Sequence, residues 1–148
     1  MRVVIQRVDE ASVTVNDEYT NSINKGYMIL LGICTTDTLD DLNYLISKIE
    51  KLRIFEDENG KMNLSIKDVN GEILLVSQFT LYANTKEGNR PSFTDSMKFD
   101  EANDMYEVFK SKLSETGIPF KTGEFGADMK VSLINDGPVT IIIDSKDR

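Results

Sequence analysis

Hydrophobic and polar residues alternate from the first positions of the chain. VVIQRV and ASVTV alternate and are rich in β-branched residues, which predicts two strands. EYTNSIN follows as a third, weaker one. GYMILLGIC is almost continuously apolar, the pattern of a central strand buried on both faces. The period then changes. Leu39, Leu42, Leu45, Ile46, Ile49 and Leu52 fall at helical spacing, Asp37 or Thr38 suits the N-cap, and Asp40 and Asp41 sit in the first turn. A short strand, LRIF, comes next, and DENG carries an Asn-Gly signal for a type I′ hairpin. Asn70-Gly71 then opens a long strand, EILLVSQFTLYA. Residues 84–98, NTKEGNRPSFTDSMK, are polar and without period, a long loop for a compact domain, and long loops are often functional. Helical spacing returns from about Asp100 to Glu115, where Ala102, Met105, Tyr106, Phe109 and Leu113 share a face. Gly117 suits the end of that helix and Pro119 its stop. The tail, FKTGEFGADMKVSLINDGPVTIIID, reads as strand, loop, strand, kink, strand.

About eight strands and two helices leave hairpins as most of the connections. The expected class is therefore α+β, with a largely antiparallel sheet or barrel. A length of 148 residues suits a single domain with a real core, spanning 1–148.

Composition narrows the chemistry more than the fold. The chain has no histidine, which removes Ser-His and Cys-His triads and the commonest general base. Its one cysteine, Cys34, lies in an apolar run and reads as a small buried hydrophobe; with no histidine beside it, neither a nucleophile nor an ordinary zinc site is available. An enzyme built from this sequence works by carboxylates, hydroxyls, backbone dipoles or groups of its own substrate. A net charge of −8 argues against a general nucleic-acid coat, while leaving room for a local basic patch. No apolar run approaches the ~18 residues of a membrane span. MRVVIQRVDE reads as a strand and not as a secretory signal, so a cytoplasmic location is expected.

Two stretches invite a functional reading. In VSQFTLYA, period-2 alternation puts Ser77 and Phe79 on one face and Gln78 and Thr80 on the other. Polar residues at the end of a buried strand are costly unless bonded. They either meet water or a neighbouring strand, or converge on a ligand. In NDGPVT, Gly137-Pro138 is either a turn or bulge, or a cis unit whose carbonyls have no ladder partner and can hold an ammonium group. Lys86, Arg90 and Lys98, in or beside the long loop, are a solvated set or a phosphate patch. Arg7, in a strand among apolar residues, either snorkels to the surface or clamps carbonyls. Asp9, Glu10, Glu124 and Asp128 form no metal or glycosidase spacing and receive no role.

Ser77-Gln78-Phe79-Thr80-Leu81 together with Asn135-Asp136-Gly137-Pro138-Val139-Thr140 resembles the D-aminoacyl-tRNA deacylase family, formerly called D-tyrosyl-tRNA deacylases. QRV and ASVTV at the start, GKMNLS from Gly60, RPSF from Arg90 and TGEFGADMKVSLINDGP near the end are similar to the same family, in order and over nearly the whole chain. The resemblance implies a homodimer of β-barrel-like subunits, with no cofactor and no membrane. It implies hydrolysis of the ester joining a D-amino acid, or glycine, to the 3′ end of tRNA. It implies that Ser77, Gln78, Phe79 and Thr80 form the pocket floor and that a cis Gly137-Pro138 reaches into the partner's pocket. The carbonyl of Phe125 is then expected to help hold the substrate ammonium, Met129 to pack near the site, and Arg7 to anchor the Gly-Pro loop.

Such a site selects by exclusion. With the ammonium fixed, an L-residue drives its side chain into the Gly-Pro backbone, a D-residue points outward, and glycine has nothing to clash. Amides near Phe79 and Thr80 would stabilise the oxyanion, a contribution of ~3–4 kcal/mol per donor elsewhere, and the 2′-OH of the terminal adenosine would assist. Thr80 as nucleophile is the alternative, without an evident base. Two rivals stand outside this class: a tRNA 3′-end binding module without turnover, and a binder of free D-amino acids.

Overall fold

The computed structural model describes residues 1–148. In chain order it contains β1 (Arg2–Val15), β2 (Tyr19–Ile23), β3 (Gly26–Gly32), α1 (Leu39–Lys51), β4 (Phe55–Glu56), β5 (Met62–Leu64), β6 (Glu72–Ser77), a 3₁₀ turn (Phe79–Tyr82), α2 (Phe99–Glu115), β7 (Phe120–Thr122) and β8 (Met129–Asp144).

The main sheet runs β2-β1-β3-β6-β7, with β8 on the other side of β1. β1 is antiparallel to β2, β3 and β8, and β4 to β5. β6 is parallel to both β3 and β7. A parallel neighbour cannot be reached by a hairpin, and the two helices lie in those two crossovers, α1 before β6 and α2 before β7. The sheet then curls until its ends nearly meet. Asn21 Nδ2 donates to Thr122 O at 2.7 Å and Lys121 Nζ to Ser22 O at 2.8 Å, so side chains, not a ladder, join β7 to β2. The α+β, barrel-like architecture with two helices is therefore present, with a parallel pair at its centre.

Both faces of β3 and β6 are covered, which explains their continuous apolar character. Tyr27, Ile29, Leu31, Ile73 and Leu75 face the helices with Leu45, Ile49, Tyr106 and Phe109. Met28, Leu74 and Val76 face the barrel interior with Val8, Ala11, Val13 and Val15. VVIQRV and ASVTV are one strand, not two. β1 pairs Val8 with Asn135 and Glu10 with Ile134, so Asp9 is an extra residue, a bulge. The extra residue shifts the alternation by one. Val3 and Ile5 consequently point at the helices, while Ala11, Val13 and Val15 point into the barrel.

Four further expectations change. EILLVSQFTLYA stops being a strand at Ser77 and coils into the 3₁₀ turn, so the alternation of Ser77 and Phe79 against Gln78 and Thr80 does not hold. LRIF is extended only at its end, as the two-residue β4. DENG does not form a type I′ turn, which needs positive φ at both central residues: Gly60 has φ 73°, but Asn59 is not among the residues with positive φ. Asp57 Oδ1 accepts from the Asn59 and Lys61 amides and holds the turn another way. Cys34 is half-exposed instead of buried, with Sγ 3.5 Å from Thr36 Oγ1.

α1 begins as its sequence dictates. The Thr38 amide donates to Asp41 Oδ2 at 2.9 Å. Buried Asp41 also accepts from Ser145 Oγ at 2.7 Å and Lys146 Nζ at 2.9 Å, which ties the last residues to this helix. No helix is long and apolar enough to cross a membrane.

Candidate functional site

A cleft of about 710 Å³ opens where β3 and β6 end side by side, their carboxyl ends pointing the same way. Leu31, Ile33, Val76 and Ser77 make its floor. β6 ends at Ser77. The Gln78 amide keeps a last ladder bond to Leu31 O at 2.7 Å, and Phe79–Tyr82 then coils. Leu81 is the first amide of the turn to donate back, to Gln78 O at 3.3 Å. The amides of Phe79 and Thr80 precede it and have no acceptor within the turn.

One wall is the segment after the long loop. Met97 N donates to Ile33 O at 3.0 Å, which extends the β3 edge. Ser96 Oγ donates to Phe79 O at 3.0 Å, and Phe93 packs edge-on against Phe79 with centroids 5.0 Å apart. The opposite wall is Phe125 to Met129 with Val131. Phe125 is braced by Phe99 at 5.2 Å and Tyr106 at 5.5 Å. Burial pushes the Tyr106 phenol well above its ordinary value, so this group stays neutral and acts as scaffold. Asn16 N donates to Asp128 O at 2.8 Å and Asp128 N to Asn16 Oδ1 at 3.1 Å, fastening that wall to the end of β1.

Only Lys98 and Asp128 among the lining residues carry charge. Thr80 does not line the cleft; its Oγ1 accepts a hydrogen bond from the Gln78 amide. An amide is not a base, so nothing at Thr80 is placed to take its proton. No three His, Cys, Asp or Glu side chains converge to hold a metal. What the cleft can offer a reacting group is backbone dipoles beside a mostly apolar lining.

Ser77, Gln78, Phe79, Phe125 and Met129 therefore lie together, while Gly137, Pro138 and Arg7 lie elsewhere. NDGPVT is not a junction between two strands. β8 runs through it, pairing Asn135 with Val8 and Thr140 with Gln6, so the intervening residues loop out from the edge. The Gly137–Pro138 peptide is cis, and both residues are exposed. Asn135 closes the base of the loop: Oδ1 accepts from the Val139 amide at 2.7 Å and Nδ2 donates to Thr140 Oγ1 at 3.0 Å. Arg7, only 4% exposed, donates from Nε to Asp136 O at 3.1 Å and from Nη1 to Ile54 O at 2.6 Å.

Sequence reasoning assigned no role to Asn135, Ser96 or Phe99. Asn before Asp-Gly is a signal for side-chain closure of a turn. Ser96 and Phe99 give none, because they meet the cleft only through tertiary structure. Lys98 lines the cleft, whereas Lys86 and Arg90 stand exposed outside it. None of these three cations joins an ion pair.

Comparison with known proteins gives consistent results. The model of the family described as D-Tyr-tRNA(Tyr) deacylase matches residues 4–144. A D-aminoacyl-tRNA deacylase of Finegoldia magna is 58% identical, over 99% of each chain. One of Flavobacterium psychrophilum is 59% identical, over 100% of this chain and 99% of its own. Among solved structures, the c-Myc DNA unwinding element binding protein superposes with a TM-score of 0.91 at 45% identity, covering 97% of this chain and 98% of its own.

Proposed function

The chain belongs to the D-Tyr-tRNA(Tyr) deacylase family, and we propose that it hydrolyses the ester joining a D-amino acid to the 3′ end of tRNA. The observation that carries this reading is the cleft at the ends of β3 and β6, where the chain turning after Ser77 leaves the Phe79 amide without an acceptor beside a mostly apolar lining with no histidine and a single carboxylate, Asp128. An aminoacyl ester is an activated bond, so oxyanion stabilisation by the Phe79 amide, assisted by the 2′-OH of the terminal adenosine, suffices. Water attacks the carbonyl carbon, and the ribose 3′ oxygen leaves with a proton. Free D-amino acid and tRNA result.

Chirality is read by a second copy of the chain. On its own protomer the Gly137–Pro138 loop stands exposed on β8, away from the cleft, and β8 pairs with β1 alone, so its outer edge is free. That edge also exposes Ile134 and Ile142. A homodimer joined along it would carry each loop into the other cleft, facing the Phe125 carbonyl, with Met129 packing beside them. The two sets of carbonyls would hold the ammonium, an L side chain would meet the loop, and glycine would pass. Arg7 acts indirectly, by pinning the loop through Asp136. The reaction belongs in the cytoplasm, where aminoacyl-tRNA is used.

The test is deacylation of D-Tyr-tRNA, L-Tyr-tRNA and Gly-tRNA by the purified protein. Loss of the D and glycyl esters with the L ester spared is the expected result. Binding of tRNA without turnover would instead support a 3′-end binding module, and binding of the free D-amino acid alone would support a small-ligand protein.

A further inference from the structure

The mouth of the cleft carries aromatic surface that the reaction does not use. Phe99 opens α2 and is 60% exposed, although it is a large apolar ring. It is held in place from behind. It meets Phe125 in a T-shaped contact, and Gly126 lies so close that a Cβ there would be 2.5 Å from Phe99 Cε2. Gly126 has φ +78°, so the backbone there favours glycine twice over. A braced ring with a free face is a stacking platform.

Lys98 immediately precedes it. This residue caps α2 without a side-chain capping bond, and lysine is a poor choice for that position. It is the only basic residue lining the cleft, is exposed, and has no carboxylate partner. On a body of net charge −8, a lone unpaired cation at a cleft mouth marks where a polyanion is tolerated. An aromatic face beside a cation is what single-stranded nucleic acid requires, one base and one phosphate at a time.

We propose that Lys98 and Phe99 form a subsite for the nucleotide that precedes the terminal adenosine of tRNA. This rests on the function proposed above. With the ester over Ser77, the groups left at the mouth are the terminal adenine, the phosphate on its 5′ side and the base before it; the adenine, nearest the ester, lies towards Phe79, which leaves the phosphate and the preceding base for Lys98 and Phe99. Lys98 takes that phosphate, and the base lies on Phe99. Phe79, the other exposed aromatic of the mouth, adjoins the reacting floor and is braced by Phe93, so it serves the ester end. The subsite makes the enzyme read a polynucleotide and not merely an esterified nucleoside.

The experiment compares D-Tyr-tRNA with 2′(3′)-O-D-tyrosyl-adenosine, which lacks both the phosphate and the preceding base, across Lys98→Gln, Lys98→Arg, Phe99→Leu and Phe99→Tyr. The ratio of kcat/KM on tRNA to that on the nucleoside ester is expected to fall about tenfold in Lys98→Gln and Phe99→Leu, through KM, as loss of a stacked base or phosphate contact requires. Lys98→Arg and Phe99→Tyr keep the ratio. Lys98→Gln also flattens the salt dependence of kcat/KM on tRNA by roughly 0.7 in log–log slope, one phosphate on a single strand. An unchanged ratio in Lys98→Gln and Phe99→Leu, or equal losses on both substrates, overturns the subsite while leaving the deacylase reading intact. A wild-type protein inert towards both esters overturns that reading and the subsite with it.

Discussion

Arg7 ties together two segments far from it in sequence. Its guanidinium is buried, yet it donates to the carbonyls of Asp136 and Ile54 and lies 3.4 Å from the Asp136 carboxylate. Hydrogen bonds to a charged donor contribute about 1.5–3 kcal/mol each, and removing a buried charge recovers part of the loss of two, so Arg7→Met is expected to lower unfolding stability by about 2–4 kcal/mol in urea titrations. Activity measured where the variant is still folded falls further, because the Gly137–Pro138 loop loses its anchor. Lysine reaches one carbonyl but not both, so Arg7→Lys falls between. Thr80 gives the opposite expectation. Its hydroxyl is bonded to the Gln78 amide, with no base at hand, so Thr80→Val keeps most of the D-Tyr-tRNA rate. A drop to background in single-turnover assays would restore Thr80 as nucleophile, and full-rate hydrolysis of a 2′-deoxy terminal adenosine ester would remove the substrate's assistance. The residue types at these positions were legible in the sequence. The partner of Arg7 on the Gly-Pro loop came from the family resemblance and not from periodicity or spacing, since Arg7 meets Asp136 across 129 positions of chain, and its bond to Ile54 O was not foreseen.

At the scale of elements, pattern was a good guide wherever one face of an element met one core. α1 begins and ends within a residue of its hydrophobic period, and α2 nearly so. Pattern failed where the backbone slips. A bulge at Asp9 joins two apparent strands into β1, and the looped-out Gly137–Pro138 leaves β8 unbroken. Each marks the sequence only as an interruption, a change of phase near Asp9 and a kink at Gly137-Pro138, and whether the strand ends or continues past it depends on the register of the partner strand. The cap of α1 has a consequence of its own. Burial pushes the Asp41 carboxyl up, but bonds from Lys146, Thr38 and Ser145 and the Lys146 charge outweigh burial and hold it well below the ordinary carboxylate range. A depressed folded-state value means stability that is complete above the unfolded carboxyl's value, roughly pH 4, and lost as pH falls towards the folded one. Asp41→Asn is therefore expected to be less stable than wild type at pH 7, with the gap closing on acidification below pH 4. Thermal unfolding across that range measures it, and a gap that stays constant with pH would assign the loss to packing instead of charge.

The whole molecule raises the question of completeness. One chain supplies a cleft without a loop and a loop without a cleft, and the strand that bears the loop has a free sixteen-residue edge. A long unpaired edge invites association, and a two-fold arrangement lets one edge serve both partners. Complementation separates this arrangement from a chance proximity of surfaces. At Gly137 φ is +137°, and a Cβ would lie 2.6 Å from Val139 Cγ2 and 2.9 Å from Val139 N, so Gly137→Ala distorts the loop while leaving its own cleft intact. Ser77→Phe fills the floor while leaving its own loop intact. Each variant alone is expected to be inactive. Unfolded and refolded together in equal amounts, they are expected to form mixed dimers in which the intact cleft receives the intact loop. Half the dimers are mixed and one of their two sites is complete, so roughly a quarter of wild-type activity per protomer returns. If each site were built from a single chain, the mixture would stay as inactive as its parts, because no protomer would hold both intact pieces. The readout does not depend on how tightly tRNA binds, since mixed and wild-type dimers carry the same surface charge.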